Sequence, residues 1–160
     1  MKYYNEKIIL SLIIIASSAV AFSQTNTEDV DMIQAAFGKE KKALMSEYVK
    51  LDADKKDAFW NLYDQYETER KELGKKRIAL INKYAENYTS MDDAKTTELI
   101  KEMSKISSDY EKLMSSYFAK LSKAAGAKPA AQFYQMEAYL LSVIRVEIMN
   151  NIPFIGELDY

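Results

Sequence analysis

The side chains with the strongest chemical character are two arginines on the longest predicted helix. Arg70 and Arg77 are seven residues apart, so both lie on one face of a helix. A buried arginine is costly unless a carboxylate pairs with it. Glu137 and Glu147 are the candidate partners within the chain, and a second copy of the chain is another source of carboxylates. The two interpretations are a structural ion pair and a positively charged lining for a bound protein.

Aromatic and methionine side chains form the second candidate site. The chain has 12 tyrosines and 8 methionines, and each buried tyrosine hydroxyl needs a hydrogen-bond partner. A stripe of tyrosines and methionines along a helix is either part of a core, a dimer seam, or an amphipathic surface that binds many unfolded segments weakly. With the two arginines, the residues predicted to contact a client or partner are Trp60, Tyr63, Tyr66, Tyr110, Met114 and Tyr117.

The composition argues against several classes of function. The chain contains no histidine and no cysteine, which removes the usual general base, the thiolate nucleophile and the commonest zinc ligands. Asp52 and Asp54 lack the glycine and glutamate spacing of a calcium loop. We therefore predict no enzymatic activity, no metal, no cofactor and no small-molecule substrate. The formal charge of -2 gives no strong attraction to nucleic acid.

The first residues have the character of a secretory signal. Two lysines precede an almost wholly apolar run from Ile8 to Phe22, and small residues lie at positions -3 and -1 of a cut before Gln24. The run is shorter than the roughly 20 residues that span a bilayer. We predict a signal peptide over residues 1–23, with an uncleaved anchor as the alternative, and a single helical domain over 24–160. We therefore expect the mature protein to act outside the cytoplasmic membrane, in a compartment that contains no ATP.

The elements that position these residues are four predicted helices, at about residues 31–50, 53–88, 93–125 and 129–150. The second and third helices carry coiled-coil-like seams, in which inward residues alternate at spacings of four and three. The second seam is Phe59, Tyr63, Tyr66, Arg70, Leu73, Arg77, Leu80 and Tyr84. The third is Leu99, Met103, Ile106, Tyr110, Leu113, Tyr117 and Leu121.

The predicted fold class is therefore all-α, an elongated four-helix hairpin. Asp52 is predicted to cap the second helix with its side chain, and Ser90 or Asp92 is predicted to cap the third. Gly126 is predicted to end the third helix. A thin hairpin exposes much surface for its length, so we expect a homodimer to cover its apolar stripes.

The helix starts carry a family resemblance. Leu51-Asp52-Ala53-Asp54-Lys55 stands where an L-T-x-x-Q motif opens a helix in the Spy/CpxP family, and Phe59-Trp60-x-Leu62-Tyr63-x-x-Tyr66-x-x-x-Arg70-x-x-Leu73-x-x-x-Arg77 is similar to that family's long helix. Lys128-Pro129-Ala130-Ala131-Gln132-Phe133 occupies the place of the second motif. Neither motif is intact. Asp52 replaces Thr, Lys55 replaces Gln, and the second copy lacks Leu-Thr and has its Gln one position late.

The resemblance implies a periplasmic, cradle-shaped helical dimer that acts as an ATP-independent chaperone for unfolded envelope proteins under stress. The alternative that it implies is a regulator of envelope-stress signalling that docks on a membrane sensor. The tail Ile152-Pro153-Phe154-Ile155 is the candidate docking element for that role. Metal-responsive members of the family rely on histidine, which this chain lacks.

Overall fold

The computed structural model describes residues 27–157, so the predicted signal peptide lies outside the described residues. Over that range the chain forms four α-helices and no β-strand, which confirms the all-α prediction. The helices are α1 (Thr27–Tyr48), α2 (Lys56–Asn87), α3 (Asp93–Ala125) and α4 (Ala127–Asn151), and short 3₁₀ turns at Ala53–Lys55 and Tyr88–Ser90 flank α2. Among these described helices, none is long and apolar enough to cross a membrane.

Local sequence explains where the third helix begins and ends. Asp92 caps α3, because its carboxylate accepts a hydrogen bond from the Lys95 backbone N–H at 2.8 Å. Gly126 ends α3 with a positive φ of 101°, which glycine adopts without the strain that a β-carbon would cause. Its carbonyl then accepts from the Ala130 backbone N–H at 3.3 Å, so α4 starts at once. Pro129 lies in the first turn of α4, where a helix needs no backbone donor.

The prediction that the Asp52 side chain caps the second helix is wrong. Asp52 does precede a helical turn, but its carboxylate accepts from the Lys55 side-chain ammonium at 2.7 Å and caps no backbone N–H. The turn that follows is a tight 3₁₀ turn, in which the Asp52 carbonyl already accepts from the Lys55 N–H at 3.1 Å. The hydrogen bond from Lys55 lowers the pKa of the exposed Asp52 carboxyl.

The described chain divides into two compact units. One unit is Tyr48–Glu137, and the other joins residues 27–47 with residues 138–157. The second of these has its own buried apolar residues: Phe37, Leu44, Met45 and Leu140. Lys41 is also fully buried there, with its ammonium 5.8 Å from the centre of the Phe37 ring.

In the unit Tyr48–Glu137, α2 and α3 form an antiparallel hairpin. Tyr66 contacts Tyr117, whereas Lys83, further along α2, contacts Glu98, which is earlier in α3. The first half of α4 packs on one end of this hairpin. We call that end the base (residues 56–72 and 110–125) and the other end the tip (residues 73–109). Within this unit, the tip consists of the end of α2, the 3₁₀ turn Tyr88–Ser90 and the start of α3.

The predicted seam of α2 is confirmed, since all of its residues are buried except Arg77, which is half-buried. The predicted seam of α3 is correct at Leu99, Ile106, Tyr110, Tyr117 and Leu121. It is wrong at two positions, because Met103 is 50% exposed and Met114 is buried where Leu113 was predicted. The set of α3 residues that faces the interior therefore shifts around the helix along the hairpin. A strict alternation of spacings of four and three residues does not predict this shift.

Candidate functional site

The predicted site residues meet at the base of the hairpin, in a buried polar cluster that we call the base cluster (Tyr66, Glu67, Arg70 and Glu137). The Arg70 side chain donates from Nε to both carboxylate oxygens of Glu67 at 3.1 Å. The Tyr66 hydroxyl donates to Glu137 Oε2 at 2.7 Å and so joins α2 to α4. All four side chains are less than 10% exposed, so the cluster is part of the interior.

Burial controls the protonation of the tyrosines around this cluster. It raises the pKa of Tyr66 well above its usual range, and the Glu137 carboxylate raises it further. Burial also raises the pKa of Tyr63, with added contributions from Glu67 and Glu137. Burial opposes the charge of Arg70, but the facing carboxylates, Glu67 first, leave its pKa above the usual value. The tyrosines are therefore neutral donors, and Arg70 remains a cation.

Aromatic rings surround the base cluster and hold α4 in place. Phe133 of α4 meets Tyr66 edge-on at a ring separation of 4.9 Å and Tyr63 at 6.2 Å. Tyr66 in turn meets Tyr117 of α3 at 5.5 Å. The Tyr117 hydroxyl donates to Glu69 Oε1 at 2.6 Å, and burial together with this bond raises the pKa of Tyr117 to about 12. The hydroxyls of Tyr66 and Tyr117 thus each have the hydrogen-bond partner that a buried tyrosine needs.

Six of the eight predicted contact residues are thus interior, as the core interpretation requires: Tyr63, Tyr66, Arg70, Tyr110, Met114 and Tyr117. The other two, Trp60 and Arg77, are half-buried. The Arg77 guanidinium lies 4.3 Å from the centre of the Tyr110 ring, a cation–π contact. A binding role for these residues stays a prediction, and in this structure most of their surface is used internally.

Arg70 forms an ion pair with Glu67, three residues earlier on the same helix. Glu137, a predicted partner, lies in the same buried cluster, and its charge also raises the pKa of Arg70. Glu147, the other predicted partner, accepts a hydrogen bond from the Asn151 side-chain amide at 2.9 Å. The spacing of three between Glu67 and Arg70 is a standard signal for a helical ion pair and could have identified this partner from sequence.

The exposed surface carries apolar side chains that sequence analysis did not select. On α3 they are Ile100 and Met103 near the tip, and Phe118, which meets Tyr134 edge-on. On α4 they are Tyr139, Val146 and Met149, which we call the α4 stripe. Their spacings of seven and three place them on neighbouring turns of the helix surface. Exposed apolar side chains that group in this way are typical of binding surfaces.

Residues 154–157 form an ordered turn after the end of α4. The Glu157 backbone N–H donates to the Phe154 carbonyl at 3.0 Å, and the Glu157 carboxylate accepts from the Phe154 N–H at 2.7 Å. Gly156 has a positive φ of 81°, which this turn requires. The turn exposes 61% of Phe154 and 44% of Ile155.

Gln132, the displaced glutamine of the second motif, has a structural role that the sequence did not reveal. Its side-chain amide accepts from the Lys50 backbone N–H and donates to the Tyr48 carbonyl, both at 3.3 Å. Both bonds lie where the chain leaves α1, so Gln132 supplies hydrogen bonds to backbone that no helix satisfies. No local pattern signals a contact between residues more than 80 positions apart.

Comparison of the chain with protein-family models, with curated proteins and with solved structures finds no match in any of the three. The resemblance to the Spy/CpxP family therefore stays a prediction. Within residues 27–157, no group of three or more acidic side chains is arranged to hold a metal ion. The chemistry that the described surface offers is that of apolar and mixed-charge helix faces.

Proposed function

We propose that this chain is an exported, ATP-independent chaperone-like protein that binds apolar segments of unfolded envelope proteins in the bacterial periplasm. The observation that carries the proposal is the grouping of exposed apolar side chains on helix faces, at Ile100 and Met103 of α3 and in the α4 stripe. Three of the exposed apolar residues are methionines, whose flexible side chains adapt to varied partners. A homodimer, as the family resemblance implies, belongs to the same proposal.

The mechanism is reversible shielding. A client segment that rests on an exposed helix face is kept from other clients, and small apolar groups among charges of both signs keep its binding weak. Exposed ion pairs such as Lys105–Asp109, at 2.7 Å, show that both signs of charge accompany the apolar groups. No step of this mechanism requires nucleotide, metal or bond chemistry.

Light scattering of an aggregating substrate tests the proposal. The exported protein at a stoichiometric ratio should slow aggregation of several unrelated unfolded substrates, without nucleotide. A variant in which Ile100, Met103, Val146 and Met149 are replaced by serine should lose most of this effect. Tyr63→Phe is the control, because Tyr63 is fully buried. A wild-type protein without effect on any substrate would refute the proposal. Loss of activity in Tyr63→Phe but not in the serine variant would show that the binding site is the buried seam of α2 and not the exposed apolar side chains.

A second candidate function is supported by the turn at residues 154–157. A hydrogen-bonded turn that presents two apolar side chains has the character of a specific docking element, because its backbone is already folded before binding. This observation favours the signalling alternative, in which the protein docks on a membrane sensor. Phe154→Asp should then change the output of an envelope-stress reporter while leaving aggregation suppression unchanged. An unchanged reporter in that variant would rule this role out.

A further inference from the structure

Two sets of methionines in the described residues differ sharply in exposure. The chain has no cysteine, so methionine thioethers are its only sulfur groups. The members of the interior set are less than 10% exposed: Met45, Met114 and Met136. The exposed set is Met32 at 67%, Met103 at 50% and Met149 at 49%. Oxidation of a thioether needs access for the oxidant, so the two sets should react at very different rates.

Two of the exposed methionines have the same local setting. Met103 follows Ile100 by three residues on α3, and Met149 follows Val146 by three residues on α4. Residues three apart are neighbours on a helix surface, so each methionine lies beside a β-branched apolar side chain. Ile100 is 43% exposed and Val146 is 57% exposed, close to the values of the two methionines. We call Ile100 with Met103, and Val146 with Met149, the exposed pairs.

The exposed pairs belong to different compact units. Ile100 and Met103 lie in the unit Tyr48–Glu137, and Val146 and Met149 lie in the unit that joins residues 27–47 with residues 138–157. Both pairs are part of the apolar surface that carries the proposed client binding. In each pair the β-branched side chain is hydrocarbon, whereas the methionine sulfur is readily oxidised. Oxidation of two sulfurs therefore alters the apolar surface of both units.

The reaction is the two-electron oxidation of a thioether by hydrogen peroxide. A sulfur lone pair attacks one peroxide oxygen, the O–O bond breaks, and hydroxide leaves. The hydroxide takes the proton from the transferred oxygen, so the products are a sulfoxide and water. Methionine sulfoxide reductases reverse the change: two thiols are oxidised to a disulfide, and the sulfoxide oxygen leaves as water. Those thiols come from another protein, because this chain has none.

The location of a methionine decides whether the fold tolerates its oxidation. A sulfoxide oxygen on Met103 or Met149 is hydrated, so the folded state should lose little stability. The same oxygen on Met45 or Met114 would be buried away from water, which is strongly destabilising. The interior position of these residues also keeps oxidant away from them while the protein is folded. Peroxide should therefore change the apolar surface of the folded protein and spare its interior.

We propose that Met103 and Met149 are sites of reversible oxidation by peroxide, and that the sulfoxide form releases bound clients. The inference rests on the proposed client-binding function and adds its regulation. An apolar client segment gains from contact with an exposed pair because both surfaces lose water. A sulfoxide is polar and retains its water, so the contact weakens. The reduced protein then holds clients, and the oxidised protein releases them without unfolding.

Peptide mass spectrometry after timed exposure to hydrogen peroxide tests the assignment of the sites. In the folded exported protein, Met103 and Met149 should be oxidised at least about tenfold faster than Met114 and Met136. In urea, which exposes the interior, the four rates should converge. Circular dichroism should show the same helix content before and after oxidation of the exposed set. Equal rates in the folded protein would overturn the inference, and so would loss of helix when only exposed methionines are oxidised.

Light scattering of insulin that aggregates after reduction by dithiothreitol measures the effect on client binding. The oxidised protein is first freed of peroxide, so that only its own methionines are changed. The amount of protein that halves aggregation should rise about tenfold on oxidation, because two apolar contacts are lost. Methionine sulfoxide reductases for both epimers should restore the original value. Unchanged suppression with both sites fully oxidised would overturn the inference and leave the proposed function intact. Unmodified protein that suppresses aggregation of neither insulin nor other substrates would refute both.

Leucine substitutions assign the loss to these two sulfurs, with each variant compared with itself before and after peroxide. Met103→Leu combined with Met149→Leu retains apolar side chains but has no sulfur at the two sites, so peroxide should no longer reduce its activity. Met32→Leu is the matched control, because Met32 is exposed on α1 and lies outside the exposed pairs. This control should lose activity as the wild type does. An undiminished loss in the double variant, or protection in Met32→Leu, would overturn the inference.

Discussion

The base and the tip of the α2–α3 hairpin are built from one repeating pattern, yet their interiors differ. At the base, Tyr63, Tyr66 and Phe133 are 0% exposed, because a third helix covers the groove. At the tip, Leu80, Leu99 and Ile106 are each 9% exposed. Two helices can bury one seam between them, but they leave the flanks of that seam in contact with water.

This difference assigns different tasks to the two ends. The base holds buried polar groups in a network that includes the Arg70–Glu67 ion pair and the bond from Tyr66 to Glu137. Such a network specifies one arrangement of helices, since each partner is costly to leave unpaired. The tip has exposed ion pairs on Lys83 and also exposes apolar side chains, at Ile100 and Met103. Stability is therefore concentrated at one end of the hairpin, and exposed apolar surface lies at the other.

The largest expected effect comes from truncating the aromatic side chain that joins α4 to the base. Phe133→Ala should lower the free energy of unfolding by about 3–5 kcal/mol, because it leaves a cavity among Tyr63 and Tyr66. Leu80→Ala at the tip should cost less than this, since water and neighbouring side chains can fill the space. Urea unfolding followed by circular dichroism measures both. Equal losses would show that the tip is as closely packed as the base.

Ion pairs should show the same contrast. Arg70→Ala leaves the buried Glu67 carboxylate without its guanidinium and should cost about 3–5 kcal/mol of stability. Lys83→Ala removes a tip cation that contacts two exposed carboxylates, and solvent screening should make its effect small. The double variant Arg70→Met with Glu67→Leu should recover much of the first loss. A loss in Lys83→Ala as large as that in Arg70→Ala would contradict the comparison.

Sequence reasoning succeeds where a structure depends on neighbours along the chain. The alternating spacing of α2, the cap at Asp92 and the end of α3 at Gly126 are local features, and all three are correct. The exposure of Met103 was not predictable in this way, because it depends on packing between helices and not on neighbours along the chain. The contact of Gln132 with residues 48–50 is also long-range. The composition of the interior was thus accessible from sequence, and the location of open surface was not.

The buried tyrosines make the base sensitive to alkali. Burial raises the pKa of Tyr63, Tyr66 and Tyr110 in the folded protein, whereas in the unfolded chain they ionise near pH 10. Above that pH the unfolded state therefore binds fewer protons than the folded state, and stability falls as pH rises. The loss should be about 1.4 kcal/mol per pH unit for each tyrosine that stays protonated only when folded.

Two spectra measured together test this pH dependence. The part of the tyrosinate absorbance that comes from the interior tyrosines should rise late, in step with the loss of helical circular dichroism, because these tyrosines ionise only on unfolding. Tyr66→Phe should reduce the slope of the unfolding free energy against pH by the contribution of one proton. Tyrosinate absorbance that rises fully near pH 10 while the helices persist would contradict the closed interior of the base.

The smallest effect concerns the amide that ties α4 to the end of α1. Gln132→Ala removes two hydrogen bonds of 3.3 Å to backbone groups that are near solvent, so water can replace part of each. We expect a loss of about 1 kcal/mol in the free energy of unfolding. Gln132→Glu is the sharper variant, because a carboxylate still accepts from the Lys50 N–H but cannot donate to the Tyr48 carbonyl. Native-state hydrogen exchange should then retain protection at Lys50 in Gln132→Glu and lose it in Gln132→Ala, with the tip amides unchanged in both. A change in exchange at the tip would show that the two ends of the hairpin are coupled through α4, and the division of tasks between them would need revision.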